Sequence, residues 1–374
     1  MRRKAARPFP VLLTARELGA GGIERDLAKY AMELDRTRFT PYVAAFQPYG
    51  VRAEEIKRAG VPILPLDVPS LKSAAALRSA TQFVRFLRQN RIQLVHAFDP
   101  SAVFAVPLAR LAGVPVVLSS TVGHRDLFDP ATRKQLRLTD HLVDAMVVNC
   151  EAMRRHLTND FGIACGKVDL CYNGVNTAEF YPGNDSSADA PVVVGSVCVL
   201  RPEKRMDLLM EAFARVRGLC PGARLLIVGS GPELGKLKDL AARLDLGGSC
   251  VFQPAVSDVA PLLRTMDIFV SCSNSEAFSN AILEAMACGC CLIGSRVGGT
   301  PELIADGERG FLFESENLHD LEVKLAMTIT DAQMRAEMGA RAAAFAATEL
   351  NIQRAAGRLA EIYENRLRSK GVWN

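Results

Sequence analysis

Short apolar runs alternate with segments of helical period along the whole chain. Residues 9–14 read as a buried strand, followed by a Gly-rich turn and a helix through Leu34 whose Ile23, Leu27, Tyr30, Ala31 and Leu34 share one face. Further strands are predicted at 42–46, 61–66, 93–97, 115–119 and 145–149, with helices at about 52–59, 77–90, 101–112 and 151–158. The second half repeats the alternation, with strands at 192–199, 224–228, 250–253, 268–271 and 291–293, helices between them and another at 317–328. Such alternation builds parallel sheets covered by helices on both faces. The predicted fold class is α/β, as two Rossmann-like doubly wound parallel-sheet domains facing a central cleft. Tyr181–Ala190 is the most linker-like stretch, which puts the domains at 1–185 and 186–354; a last helix, about 355–374, is expected to pack back onto the first domain. In folds of this class ligands bind outside the carboxyl ends of the strands.

Composition adds an asymmetry to that picture. The chain has 374 residues, 49% hydrophobic and 23% charged, which is ordinary globular material with length for two cores. Residues 1–172 hold 25 Lys/Arg against 16 Asp/Glu, a net +9, and the remainder holds 20 against 25, a net −5. The first half is therefore expected to face an anionic partner more readily than the second. No nucleic-acid partner is expected. The ten cysteines sit mostly in or beside apolar runs, which suits reduced thiols in a cytoplasmic protein. Cys288 and Cys291 have C-x-x-C spacing but no second pair, so no metal site is expected. The apolar run after the basic N-terminus is too short and too Pro-interrupted for a signal peptide, and no window is long enough to span a membrane.

Charged residues in apolar settings supply the candidate chemistry. Glu284 lies among Ile282, Leu283, Ala285 and Met286 in what should be a buried helix, and a buried carboxylate costs several kcal/mol unless something pairs with it. Ser279 or Asn280 can cap that helix and aim its positive end at the neighbourhood of Glu276. Arg201, Lys204 and Arg205 open another helix at a strand's carboxyl end, a suitable site for a diphosphate and equally a solvated charged turn. Three Gly-rich turns, at Gly21-Gly22, Gly229-Ser230-Gly231 and Gly298-Gly299, are each a weak signal for an anion cradle.

Together these residues resemble a known family. Glu276 and Glu284, with seven residues between them and Phe278, Asn280 and Gly289 around them, are similar to the double-glutamate signature of the family-four retaining glycosyltransferases, which have the GT-B fold. The likeness extends to Gly21-Gly22-Ile23-Glu24-Arg25, to Tyr172-Asn173-Gly174-Val175-Asn176, to Lys204 with Asp207 and to Gly298-Gly299-Thr300-Pro301-Glu302. The resemblance implies a nucleotide-sugar donor, no separate cofactor and no metal. It implies that Glu284 holds the ribose hydroxyls, Arg201 and Lys204 the diphosphate, and Glu276 the donor sugar beside the anomeric carbon. Backbone N–H groups of Phe278, Ser279 and Asn280 would meet the phosphate or sugar, and Gly21 and Gly22 would let the first domain approach the donor. Three departures stand out: Ala277 and Ser279 replace the commoner glycines, Val199 occupies the usual phosphate-binding Arg position, and Thr121 occupies the usual His position, with His124 nearby as the candidate catalytic imidazole. His96 is expected to be a structural residue at the cleft wall.

The acceptor side is less legible. Residues 77–91 combine Phe and Leu with four arginines, which suits a basic amphipathic helix on the inner face of an anionic membrane and equally a solvated helix packed on the first sheet. The implied activity is transfer of a hexose from a nucleotide diphosphate sugar to a hydroxyl of a glycan or lipid-linked saccharide. Two rivals share the scaffold: a nucleotide-sugar epimerase or hydrolase, and a non-catalytic sugar-nucleotide-binding subunit.

Overall fold

Parallel strands buried on both faces need near-continuous apolar runs, and this chain supplies them in runs such as Val116–Ser120 and Ala145–Val148, whose residues are all buried. The computed structural model describes residues 8–373 apart from 20, 99, 124, 126–127 and 184–190. The chain forms two compact units, Met1–Gly174 with Ile352–Asn374, and Val175–Asn351.

The first unit holds β1 (Phe9–Glu17), β2 (Phe39–Gln47), β3 (Ile63–Pro65), β4 (Leu94–Phe98), β5 (Val116–Ser120), β6 (Ala145–Val148) and β7 (Val168–Leu170). Their order is β3-β2-β1-β4-β5-β6-β7, all parallel. Between them run α1 (Gly22–Glu33), α2 (Val51–Arg58), α3 (Ala74–Gln89), α4 (Ala102–Ala112), α5 (Pro130–Asp140) and α6 (Glu151–Arg155). The second unit holds β8 (Val193–Val197), β9 (Arg224–Val228), β10 (Cys250–Gln253), β11 (Ile268–Ser271), β12 (Cys291–Ser295) and β13 (Gly310–Phe313), in the order β10-β9-β8-β11-β12-β13, again all parallel. Its helices are α7 (Met206–Val216), α8 (Leu234–Arg243), α9 (Ala260–Leu263), α10 (Asn280–Ala287), α11 (Thr300–Leu303), α12 (Leu318–Thr330) and α13 (Ala332–Glu349); α14 (Ile352–Ser369) returns to the first unit. In each sheet the strand order reverses once, beside β1 and β4 in the first and beside β8 and β11 in the second.

The division between units falls after Gly174, not at 185. Val175 donates to Leu350 O at 2.8 Å, Arg264 donates to Glu179 O at 3.1 Å, and the Arg264 guanidinium lies 4.6 Å from the Tyr181 ring centre. Those bonds tie 175–181 to the second unit before the Pro- and Ser-rich stretch begins, and residues 184–190 lie outside the described residues. The second crossing likewise comes at Ile352, ahead of the expected 355. From there α14 buries Ile352, Ala355, Leu359, Ile362, Tyr363 and Leu367 against β1, β2 and α1. Arg366 reaches Asp169 through two bonds of 2.9 Å, and Trp373 stacks on Phe9 at 4.3 Å. Each fully buried aliphatic or aromatic side chain contributes about 1.5 to 3 kcal/mol, so the helix is part of that core.

Four elements have no counterpart among the sequence expectations. β7 and β13 are only three and four residues long, too short for a period to show. α5 carries a run of charges after its Asp129 cap, with only Leu136, Thr139 and Asp140 buried. α13 is Ala-rich and buries mainly small residues, among them Gly339, where an added Cβ would stand 2.1 Å from Gly289 O. Small side chains let α13 approach the end of α10 closely and leave no apolar stripe to read.

Candidate functional site

Where the strand order reverses in the second sheet, the loops after β8 and β11 leave the strands side by side, as a ligand site in an open α/β sheet requires. The loop after β8 carries Arg201 and Lys204, and the loop after β11 carries Glu276 and leads into α10. Asn274 N donates to Glu203 O at 2.9 Å, which stitches the two loops together. Across that stitch Lys204 Nζ donates to Glu276 Oε2 at 2.7 Å, with the lysine side chain 23% and the glutamate 17% exposed. The resemblance implies separate roles for these two residues; the structure joins them in one charge-assisted bond.

The third loop, after β12, supports this pair from below. Gly298 has φ of +49°, and a Cβ there would stand 1.7 Å from Glu276 O. Gly299 N donates to Ala277 O at 2.6 Å, and Ser295 Oγ donates to Ser273 O. Gly229 and Gly231, after β9, do the same for the other loop: Cβ atoms there would stand 1.9 Å from Cys198 O and 2.4 Å from Leu200 O. The Gly-rich turns after β9 and β12 thus let neighbouring loops pack closely, with Gly298 placed directly behind Glu276.

Glu284 sits on α10 with 1% exposure, surrounded by buried Ile282, Leu283, Ala285, Met286 and Ala287. Of the two candidate caps, Ser279 is the one used: its Oγ accepts from Ile282 N at 3.3 Å, and Asn280 is the first helical residue. Phe278 and Ser279 are buried at 5% and 7%. The helix begins at the carboxyl end of β11, so its positive end is directed to the region that Glu276 and Lys204 occupy.

The cations nearby differ in how they are held. Arg205, itself at φ +48°, is held by Asp207 at 3.1 Å and Glu316 at 2.6 Å, and those carboxylates raise its pKa. Arg201 is 60% exposed, its nearest carboxylate partner Glu203 standing 3.9 Å away. Val199, the position at which the resemblance leads one to expect a phosphate-binding arginine, is 50% exposed.

In the first unit Gly21 caps α1 and Gly22 is its first residue; the Glu24 carboxylate folds back into the space a Cβ at Gly21 would fill, 2.1 Å away. Burial raises the Glu24 pKa. His124 lies outside the described residues. Its neighbour Arg125 is no exposed loop charge: it is 2% exposed and binds Asp140 through bonds of 2.6 and 3.0 Å, with a third to Thr121 Oγ1 at 3.1 Å. His96 is fully buried, with Nδ1 2.8 Å from Tyr363 Oη and Nε2 2.8 Å from Ser120 Oγ. Burial depresses its pKa to about 3, so it is neutral and structural, bracing β4 and β5 against α14.

Burial also pushes the thiols of Cys198, Cys288 and Cys291 up to about 12 and that of Cys272 upward, so none is a ready nucleophile near neutral pH. Among the described residues there is no cluster of three or more His, Cys, Asp or Glu able to hold a metal ion, and no helix long and apolar enough to cross a membrane.

Comparison with known proteins places this geometry. The family model for glycosyl transferases group 1 matches residues 179–345, and that for glycosyltransferase family 4 matches residues 20–179. A GDP-mannose-dependent alpha-(1-6)-phosphatidylinositol monomannoside mannosyltransferase of Mycolicibacterium smegmatis is 28% identical over 371 residues, covering 92% of this chain and 95% of that one. A D-inositol 3-phosphate glycosyltransferase of Segniliparus rotundus is 32% identical over 238 residues, covering 60% of this chain and half of that one. The structure of Anabaena HepE in complex with UDP and glucose superposes with a TM-score of 0.83 at 21% identity, covering 96% of this chain and all of that one. With its two parallel-sheet domains and the paired glutamates on the loop and helix after β11, the chain belongs to the family-four glycosyltransferases of GT-B fold.

Proposed function

We propose that the protein is a retaining hexosyltransferase, working without a metal, that moves a sugar from a nucleoside diphosphate donor to a hydroxyl of a glycan or lipid-linked acceptor. The observation that carries the proposal is the bond between Lys204 and Glu276 at the switch point of the second sheet. Lys204 supplies a positive charge for the donor's diphosphate, with Arg201 beside it, and Glu276 supplies an acceptor for the sugar's hydroxyls. Glu284, buried one helical turn into α10, is assigned to the ribose hydroxyls, and the start of α10 at Phe278, Ser279 and Asn280 to the phosphate or sugar. The mannosyltransferase and inositol phosphate glycosyltransferase among the relatives favour GDP-mannose or a related donor and an inositol-bearing acceptor.

In the proposed reaction the acceptor oxygen bonds to the anomeric carbon on the face from which the diphosphate departs, which retains configuration. The bond from that carbon to the diphosphate oxygen breaks, and the departing oxygen takes the acceptor's proton. Charge that accumulates on the diphosphate meets Lys204, already held where the loops after β8 and β11 join, and the exposed Arg201 beside it; preorganised charge such as that of Lys204 contributes about 3 to 4 kcal/mol to comparable barriers. The diphosphate's claim on Lys204 also releases Glu276 toward the sugar.

The test separates the two glutamates. Glu276→Ala is expected to abolish transfer while nucleotide binding survives, and Glu284→Ala to weaken nucleotide binding itself; a thermal-shift screen of nucleotide sugars identifies the donor beforehand. Full transferase activity in both variants sinks the assignment. Activity that chelation by EDTA removes and added divalent metal restores would overturn its metal-free part.

A further inference from the structure

Exposed leucines and arginines gather on the outer face of α3 and α4. The sequence left α3 either membrane-bound or packed on the sheet, and its inner face settles part of that: Phe83 and Leu87 are buried in the unit. What remains outside is a groove of about 500 Å³ between the two helices, lined among others by Leu77, Val84, Arg85, Arg88, Leu108 and Leu111. Leu77 is 72% and Leu111 67% exposed, whereas large apolar side chains of a helix normally turn inward. Arg88 Nη2 donates to Leu111 O at 3.1 Å, which fixes one cation beside one of the leucines.

The charge around this groove has one sign. Arg85 and Arg88 are the charged residues that line it, and residues 68–111 as a whole contain six Lys/Arg and a single acidic residue, Asp99. Arg78, Arg85 and Arg88 are all exposed on α3. A two-fold contact with a second copy would set this cationic face against itself, so self-association is disfavoured. An apolar strip flanked by arginines fits a surface that is apolar inside and anionic at its boundary.

We propose that this face of α3 and α4 docks the protein on a bilayer containing anionic phospholipids. Leu77 and Leu111 enter the boundary of the acyl region, while Arg85 and Arg88 lie at the lipid phosphates. The contact is shallow, because the main apolar face of α3 is already spent on the core. Docking brings the enzyme to the surface where a lipid-linked acceptor resides, but it rests on the surface alone and stands apart from the transferase reading.

Vesicle co-sedimentation of the full chain tests it, with no donor or acceptor present. Wild-type protein is expected to bind vesicles of phosphatidylcholine mixed with phosphatidylglycerol, to leave vesicles of phosphatidylcholine alone, and to be released by high salt. Replacing both Arg85→Gln and Arg88→Gln is expected to weaken partitioning on the order of tenfold or more. Replacing both Leu77→Ser and Leu111→Ser is expected to weaken it by a similar factor, with the thermal unfolding midpoint near the wild-type value in both double variants. Wild-type protein that ignores anionic vesicles, or double variants that bind as tightly as wild type, would overturn the proposal. So would a concentration-dependent dimer in sedimentation velocity that the leucine double variant loses, which assigns the face to a second copy.

Discussion

The two sheets reverse strand order in the same way, yet they fill the two switch points differently. In the first unit Thr14 Oγ1 on β1 stands 2.9 Å from Ser101 Oγ, next to a neutral, fully buried His96 on β4. In the second, the equivalent place holds Lys204 against Glu276, with Glu284 buried behind. The net charges run the other way, +9 for residues 1–172 and −5 for the rest. Net charge therefore does not point to the anion site proposed for the donor. Four of the first half's cations fall in residues 1–7 and three more, Arg78, Arg85 and Arg88, lie exposed on α3, whereas the second half, though acidic, sets Arg201, Lys204 and Arg205 together at one loop end. Placement at a strand's carboxyl end, in a partly desolvated setting, decides more than totals do.

The largest expected effect tests that contrast directly. Lys204→Ala should lower kcat/KM for transfer by about 10²- to 10³-fold, while Thr14→Val, at the corresponding place in the first unit, should cost about 1 kcal/mol of stability and leave nucleoside diphosphate affinity unchanged. Isothermal titration with the diphosphate and steady-state kinetics check both. Equal loss of affinity in the two variants breaks the comparison.

Backbone support sharpens it next. Gly298→Ala places a Cβ against Glu276 O at a positive φ and should cost about 3 kcal/mol together with most of the transfer activity. Gly307→Ala also has a positive φ, +78°, but open space around its Cβ, and should cost about 1 kcal/mol with transfer intact. Urea denaturation and rates under saturating donor separate them; equal losses of activity would show that Gly298 does not act through the Glu276 loop.

His96 gives the first unit its own signature. Its folded pKa near 3 lies below the unfolded value of about 6.5. The native state keeps the ring neutral, so as pH falls below about 6.5 the unfolded chain gains a proton that the folded chain refuses. Stability from this site is full above that pH and declines toward pH 3, by about 2 kcal/mol between pH 6.5 and 5. The difference in unfolding free energy between wild type and His96→Gln should shrink by that amount over the same interval. A difference that stays constant with pH would place His96 in a hydrated setting.

Much of this was legible in the sequence because the signals are local. Apolar runs marked most of the strands, and Glu284 stood out as one carboxylate in an apolar helix. The family resemblance carried further, since it linked Glu276, Lys204 and Gly298 before any distance was known. What the sequence hid depends on long-range approach. The Lys204–Glu276 bond joins residues 72 apart in the chain, and the Gly298 contact with Glu276 O is set by how β11 and β12 pair. The unit boundary was misplaced because composition marks where a chain is polar, whereas a boundary is set by bonds such as Val175 N to Leu350 O. α13 escaped because its Ala and Gly contacts need closeness, which no hydrophobic period reports.

The smallest expected effect concerns the ion pair itself. In the free protein Lys204 is held by a carboxylate, and a diphosphate must take it from that partner before it gains the lysine's charge. Removing the negative charge with Glu276→Gln frees Lys204 in advance. A partly exposed pair of this kind is worth up to about 1 kcal/mol, so nucleoside diphosphate alone should bind roughly fivefold more tightly to the variant even as transfer collapses. The sugar nucleotide should gain less, because the same change weakens contacts to the sugar. Adding Lys204→Ala to Glu276→Gln should erase the gain, since the coupling requires both partners. Opposite effects on diphosphate affinity and turnover from one substitution are what a competed lysine requires; an affinity that stays the same or falls would mean that Glu276 positions Lys204 for the phosphate instead of withholding it.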